Sequence, residues 1–448
     1  MKSRTYAVVG GGASGIAAAH YLQQQGIAVE LIEMGERLGG RIATQTMGER
    51  QMAMGGKNIG KGYRLFREFT AAMGDNPYEF FGLNSSQVRN GKIVTLDGGQ
   101  RWLGILKLLG SFAPLDLLRF LRMCLAIKLD GTNGYLGGKY FSSAIAKSGD
   151  VLLSDHFGKA VCQRLIRPMS VRMNGAEPDE IYLGNLGSNL RMVLDSYEQL
   201  NKGIEPVLEQ FAKKVAVRLQ TTVKSLIVKG DRLVGLEMVD GDGNVQQQEY
   251  AGIILATPAS VTAKLIAPHN EELGNALAQV KYYPVAVIVA EYKRNIFSEQ
   301  VRALVFDSSE PISNAGCYGV NDRHIVRYTF SGRAARPYLE ANTEPEELLS
   351  MAEKSLNRYI LVDASDRVQF VAQPMSLGLC AYTHDYPKFS RRLHAQLDKI
   401  QGMELAGDYL RGASIEACFQ SGLESVERIL AANSLPAASK TQDNLVSV

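Results

Sequence analysis

The first hydrophobic run of the chain is short and stops abruptly. Tyr6-Ala-Val-Val9 is apolar throughout and ends on Gly10-Gly-Gly12. An unbroken apolar tetrad bounded by glycine predicts a fully buried strand. Ala-rich residues follow and predict a helix, then Ile27-Ala-Val-Glu-Leu-Ile32 predicts a second strand that stops at Glu33. Leu65, Phe66, Phe69 and Met73 recur at helical spacing, with Gly74 as the stop. Residues 91–102 read as a strand and a turn. Ala216–Leu219, Thr222–Val228 and Leu233–Val239 read as strands, with a hairpin turn at Asp240–Asn244. Gly252–Leu255 is another apolar strand, ending in small residues. Residues 275–375 are mostly strands, the clearest being Lys281–Tyr292, Arg302–Phe306, His324–Phe330 and Arg367–Val371. A helix over about Pro345–Ile360 interrupts them.

Between 103 and 200 the pattern turns helical. Residues 103–129 are rich in Leu, Met and Phe, with Lys107, Arg119, Arg122 and Lys128 interleaved, which fits two amphipathic helices around Pro114. Three roles suit that pattern: helices packed on a core, the lining of a tunnel for an apolar substrate, or a peripheral membrane dock. Phe157–Met169 reads as a helix that ends at Pro168. Pro178, after Gly175-Ala-Glu177, reads as a helix start with Asp179 and Glu180 in its first turn.

Composition narrows the function classes. The chain has 448 residues, 46% of them hydrophobic, enough for a large core and for two or three domains. Its 49 basic and 46 acidic residues nearly balance at +3, without a long basic tract, so nucleic acid is not an expected partner. Five scattered cysteines without a C-x-x-C pair, and six dispersed histidines, argue against a disulfide framework and against a metal site. They suit a reducing compartment, and a cytoplasmic location is expected. The first strand starts about five residues from the N-terminus, leaving no room for a removable signal. No run of 18 apolar residues is present, so no membrane-spanning helix is expected.

The first strand then acquires a chemistry. Gly10, Gly12 and Gly15 are spaced G-x-G-x-x-G between a predicted strand and a predicted helix. Gly10 permits the tight turn, Gly12 lets a pyrophosphate approach the backbone, and Gly15 lets helix and strand pack closely. The helix N-terminus at Ala13 and Ser14 offers N–H groups and partial positive charge to phosphates. Glu33, 18 residues past Gly15 and followed by Met34, lies near the offset at which a carboxylate takes ribose hydroxyls. Gly39-Gly40 would let a second loop close over the pyrophosphate, with Arg41 as a cation beside it.

The run from Val8 to Arg41 resembles the opening of the flavin-containing amine oxidoreductase superfamily, which includes monoamine oxidases, protoporphyrinogen oxidases and carotenoid desaturases. Later segments strengthen the resemblance. Gly55-Gly56-Lys57 is similar to the family's loop beside the isoalloxazine ring, which places Lys57 near the flavin. Ile254-Leu-Ala-Thr257-Pro-Ala resembles a strand that re-enters the dinucleotide sheet. The resemblance gives Val223 a backbone contact to the adenine edge, and Gly407-Asp408 a contact to ribityl hydroxyls or a phosphate. Residues 411–422 resemble the porphyrinogen-oxidase branch most, where Ser414 replaces an aromatic-cage tyrosine of monoamine oxidases. A helix from Ile415 would aim its N–H groups at flavin N1 and O2. Val287 falls where amine oxidases often carry a lysine.

The resemblance implies an α/β fold: a discontinuous Rossmann-type FAD-binding domain (1–75, 201–265 and 386–433) with an inserted α+β substrate domain and a helical subdomain. The inserted parts are expected over 76–200 and 266–385, with a disordered tail over 434–448. The cofactor expected is FAD, held non-covalently, although Cys380 resembles the cysteine that monoamine oxidases link to the flavin. Candidate catalytic residues are Lys57, Tyr382 and His384. The expected reaction desaturates a C–N or C–C bond of an apolar or heterocyclic small molecule by hydride transfer to flavin N5, with O2 or another electron acceptor. Protoporphyrinogen oxidation, carotenoid-type desaturation and a non-redox flavin isomerase or mutase remain alternatives.

Overall fold

The buried tetrad Tyr6–Val9 is the middle of a five-stranded parallel sheet in a computed structural model, which describes residues 5–80, 86–89, 92–95 and 112–434. The strand order is Ala216–Arg218, Val29–Ile32, Tyr6–Val9, Gly252–Leu255, Met403–Leu405. Every adjacent pair is parallel. Three stretches far apart in sequence therefore build one sheet. Tyr6–Val9 and Gly252–Leu255 are buried at all positions, because both faces of the sheet are covered.

Helices Ala13–Gln24 and Ile415–Ser434 cover one face together. Gly422 makes their close approach possible: a Cβ there would lie 2.7 Å from both Ala17 Cβ and Ser14 O. The far end of the chain is thus clamped onto the first helix. The other face carries a three-stranded antiparallel sheet (Thr222–Lys229, Arg232–Val239, Val245–Glu249) and helices Ala259–Ile266, Glu271–Ala278 and Tyr386–Leu397. The hairpin turn is held by Asp240, whose carboxylate accepts from the Asp242 and Asn244 N–H groups.

A seven-stranded sheet forms a second layer, with Lys281–Tyr292 and Arg367–Tyr382 as its longest strands. Its two faces follow the period of two. Ala286, Ile288 and Ala290 pack toward helix Pro345–Asn357. Val285, Val287 and Val289 pack toward Met47, Met52 and Met54.

A helical lobe around Phe141, Phe157, Ile166 and Leu186 fills the remaining side. Here two expectations are corrected. Pro168 does not end a helix: a π-helical turn at Cys162–Ile166 precedes it, and the helix continues through Arg167–Asn174. The wider turn accommodates the ring and the missing N–H. Pro178 starts no helix, because it lies in a turn fixed by a buried Arg167–Glu177 ion pair (2.8 Å) and by Glu180, which accepts from Glu177 N and pairs with Arg336. Of the expected helix pair in 103–129, the second is Pro114–Leu129, with Met123 and Ile127 buried and Leu115, Leu118, Leu121, Leu125 and Leu129 exposed. The first lies outside the described residues, as do the 434–448 tail beyond Ser434 and most of the 91–102 element, of which strand Lys92–Thr95 is described. No described helix is long and apolar enough to cross a membrane.

Candidate active site

The glycine turn divides its labour among three residues. Gly10 has φ +107°, a conformation that L side chains rarely adopt. A Cβ on Gly15 would stand 1.8 Å from Gly10 O, so only glycine lets the helix meet the turn. A Cβ on Gly12 would meet nothing within 4 Å. Gly12 is therefore not required by packing; the space beside it belongs to whatever lies against the helix N-terminus. Glu33 holds both carboxylate oxygens at the mouth of this turn, accepting from Gly11 N (2.6 Å) and Gly35 N (2.8 Å). Met34 is exposed, away from the cavity.

A cavity of about 250 Å³ begins at Gly12, Ala13 and Ser14 and runs under Gly55–Gly56 to the inner face of the seven-stranded sheet. Arg41 and Asp408 cross it as an ion pair of 2.5 Å, and Asp408 also accepts from the Tyr282 hydroxyl at 2.9 Å. Burial opposes the charge on Arg41, but Asp408 and Tyr282 outweigh it and hold Arg41 above the ordinary arginine value. Gly55 sits against the Arg41 carbonyl, where a Cβ would come within 1.6 Å, and Gly56 faces Ile415. Thr257 and Gly407 complete this end of the wall. Ser414 accepts from Ala417 N (3.1 Å), so it caps the helix whose first residue, Ile415, reaches the cavity.

The deeper end is apolar: Met173 and Met192 from the helical lobe face Val285, Val287 and Leu379 from the sheet. No aromatic ring is among the described lining residues. Cys380 and Cys418 also line it, and burial raises both thiols, Cys418 to about 12, so they stay protonated at neutral pH. Lys57 lies just behind the Gly55–Gly56 loop, on a neighbouring cavity of about 440 Å³ that shares Ile42, Gly56 and Ile415 as wall. Its ammonium donates to Gln199 Oε1 (3.0 Å) and to the Tyr318 carbonyl, and lies 4.6 Å from the Tyr318 ring centroid. Burial, then Arg327, lowers the Lys57 pKa to about 7.

The structure brings Gly12, Ala13, Ser14, Arg41, Gly55, Gly56, Thr257, Gly407, Asp408 and Ile415 to one cavity. Val223 is not on its wall; it pairs with Met238 in the three-stranded sheet. Two catalytic candidates do not line this cavity. Tyr382 is buried off the cavity, and its hydroxyl accepts from Ala413 N (2.8 Å). His384 is exposed, with Nε2 3.0 Å from the Asp150 carbonyl and its ring against Tyr182. The cause is the backbone: Tyr382 takes φ +63° and turns the following residues away, so the segment reaches the cavity through Gly378, Leu379 and Cys380.

Two cavity cations escaped sequence reasoning. Arg327 lies in strand Ile325–Phe330 and donates to the carbonyls of Ala53 (2.6 Å), Met54 (3.4 Å) and Gly55 (2.8 Å). Burial brings it to about 10. Arg172, on the Arg167–Asn174 helix, opens onto the cavity. The available signal was an arginine inside an otherwise buried run at both places.

A parallel α/β sheet with this glycine turn, and a cavity leading from it to a second sheet, is the arrangement of a dinucleotide-binding protein. The cradle fits FAD: open space at Gly12, the Glu33 carboxylate beside it, and the Arg41–Asp408 pair. The chain belongs to the flavin containing amine oxidoreductase family, whose model matches residues 13–430, and it is an FAD-dependent oxidoreductase. It is 22% identical to a coproporphyrinogen III oxidase of Mycobacterium leprae, an alignment covering 96% of this chain and 99% of the relative. Among solved structures it is similar to a putrescine oxidase bound to putrescine (TM-score 0.71, 17% identity) and to the cyclohexylamine oxidase of Brevibacterium oxydans (TM-score 0.67, 15% identity). Both of these cover 96% of this chain and 99% of their own.

Proposed function

We propose that this protein dehydrogenates a C–N or C–C bond of a largely apolar small molecule, with O2 or another acceptor taking the electrons. The observation that carries this reading is the single cavity that joins the dinucleotide turn to the apolar face of the seven-stranded sheet. FAD, when bound, supplies the acceptor for a hydride equivalent. The residues of the chain do the rest. Gly12, Ser14 and Arg41 would hold the pyrophosphate, and Glu33 the ribose. Gly55, Gly56 and Ile415 line the part of the cavity that would hold the ring system. Val285, Val287 and Met375 present an apolar floor that excludes water from the reacting bond. Asp408 keeps Arg41 in place. The attachment of FAD is non-covalent in this reading, since the Cys380 thiol stays protonated in its buried surroundings.

A specific observation weighs against a simple amine oxidase: no aromatic pair lines the cavity among the described residues, and its charged lining is mostly cationic. The test is anaerobic reduction of the FAD-loaded protein by a panel of amines, porphyrinogens and polyenes. Bleaching of the visible flavin band by one class supports dehydrogenation and names the substrate. Turnover that needs no electron acceptor would replace this reading with a non-redox isomerisation.

A further inference from the structure

We infer that the cavity recognises a carboxylate on its substrate through the guanidinium of Arg172, an inference that rests on the dehydrogenation reading above. Among the described residues Arg172 makes no hydrogen bond and has no carboxylate against it; its charged or titratable neighbours there are Arg327 and the Tyr197 phenol. Arg172 keeps accessible surface and lines the cavity, so its guanidinium is open to a ligand there. Arg327 directs its donors to three backbone carbonyls, and among the described residues no carboxylate pairs with it either. Asp408, the one carboxylate on the cavity wall among described residues, is already paired with Arg41. Two guanidiniums thus line one cavity without a carboxylate partner among the described residues.

Two like charges beside one cavity repel each other and favour an anion that enters it. A pyrophosphate would be met by Gly12, Ser14 and Arg41, on the side of the cavity formed by the glycine turn. Arg172 comes from the helical lobe, next to Met173, and faces the sheet. The ligand that suits this end has an apolar body, for Met173, Met192 and Val287, and a planar anion for the fork of Arg172. A carboxylate has that shape and accepts two parallel N–H groups.

The test uses FAD-loaded protein titrated with benzoate, benzamide and benzylamine, followed by the flavin difference spectrum and by calorimetry. In the wild-type protein benzoate should bind at least about tenfold more tightly than benzamide. Arg172→Gln should weaken benzoate about 10- to 100-fold, the range of a charge-assisted hydrogen bond, and leave benzamide binding and FAD content unchanged. Arg172→Lys should recover part of the loss, because it restores the charge without the fork. Tightest binding of benzylamine, unchanged benzoate binding in Arg172→Gln, or loss of FAD by that variant would each overturn the inference. Should Arg172→Gln fail to fold, the wild-type order of the three probes decides alone. A wild-type protein that takes up no FAD refutes the parent reading; one that takes up FAD but prefers benzylamine refutes only this one.

Discussion

Replacing Lys57 with methionine should remove a pH dependence from the stability of this protein. Burial, reinforced by Arg327 and opposed by Asp322 and Glu79, brings Lys57 to about 7 in the folded chain. In the unfolded chain it returns to about 10.4. Between those values the unfolded chain binds a proton that the folded chain lacks. Stability therefore rises with pH across the window, by at most about 1.4 kcal/mol per pH unit. Nearby carboxylates and residual solvation reduce this, so about half of that slope to the full value is expected. Over pH 7.5–9.5 the wild-type protein should gain roughly 1.4–2.8 kcal/mol relative to Lys57→Met. The assay is urea unfolding of both FAD-loaded proteins at several pH values. Methionine fills a similar volume but loses the bonds to Gln199 and Tyr318, so the two curves will be offset. The diagnostic is their difference in slope, because tyrosines, cysteines and flavin titrate in both. Parallel curves would mean that Lys57 stays protonated in the fold and that the burial argument is wrong.

Gly12→Ala should fold with a normal circular dichroism spectrum yet retain little FAD, whereas Gly15→Ala should lose the fold itself, since its Cβ would lie 1.8 Å from Gly10 O. Equal behaviour of the two variants would contradict the division of labour in the turn. Asp408→Asn should destabilise the protein by about 1–3 kcal/mol, below the usual cost of breaking a buried pair because Arg41 is partly exposed, and should weaken FAD binding; thermal unfolding and FAD titration read both. His384→Ala should keep turnover within about twofold of wild type, and Tyr382→Phe should cost about 1–2 kcal/mol of stability with turnover preserved. A large fall in turnover for either would return the 382–384 segment to the chemistry.

The cofactor end was legible because its constraints are local. Tyr6–Val9 and Gly252–Leu255 are apolar at every position since both faces of their sheet are covered. Gly10 and Gly15 are fixed by backbone geometry, which leaves a spacing in the sequence. The substrate end was less legible because its constraints are tertiary. In Ile325–Phe330 the alternation of Arg327 and Thr329 with buried Val326, Tyr328 and Phe330 reads as a solvent face, but it meets an interior cavity. Arg172 reads as an ordinary surface arginine of a helix until the sheet is laid opposite. The 378–387 segment reaches the cavity through Gly378, Leu379 and Cys380 rather than through Tyr382 and His384, because a positive φ at Tyr382 is invisible in a tyrosine. Pro168 misled for a similar reason, since the π turn that absorbs it has no sequence marker.

The charge on the cavity wall also bears on which bond can react. An ammonium about 6 Å from one uncompensated guanidinium would be disfavoured by about 2.8 kcal/mol at an effective dielectric of about 20, and a carboxylate at the same place would be favoured by as much. That is about two pK units, so an amine entering this cavity would give up its proton more readily than in water, and among the described lining residues it would meet no unpaired carboxylate to hold its charge. A carboxylated substrate would be held at one end by Arg172 while its apolar part lies over Val285 and Val287. The same cation thus lowers the affinity for protonated amines and orients an anionic substrate, so anchoring and selection come from one side chain. Because that side chain belongs to the helical lobe and the floor to the sheet, the fit between those two layers, rather than the glycine turn that identifies the cofactor, sets which molecule is oxidised.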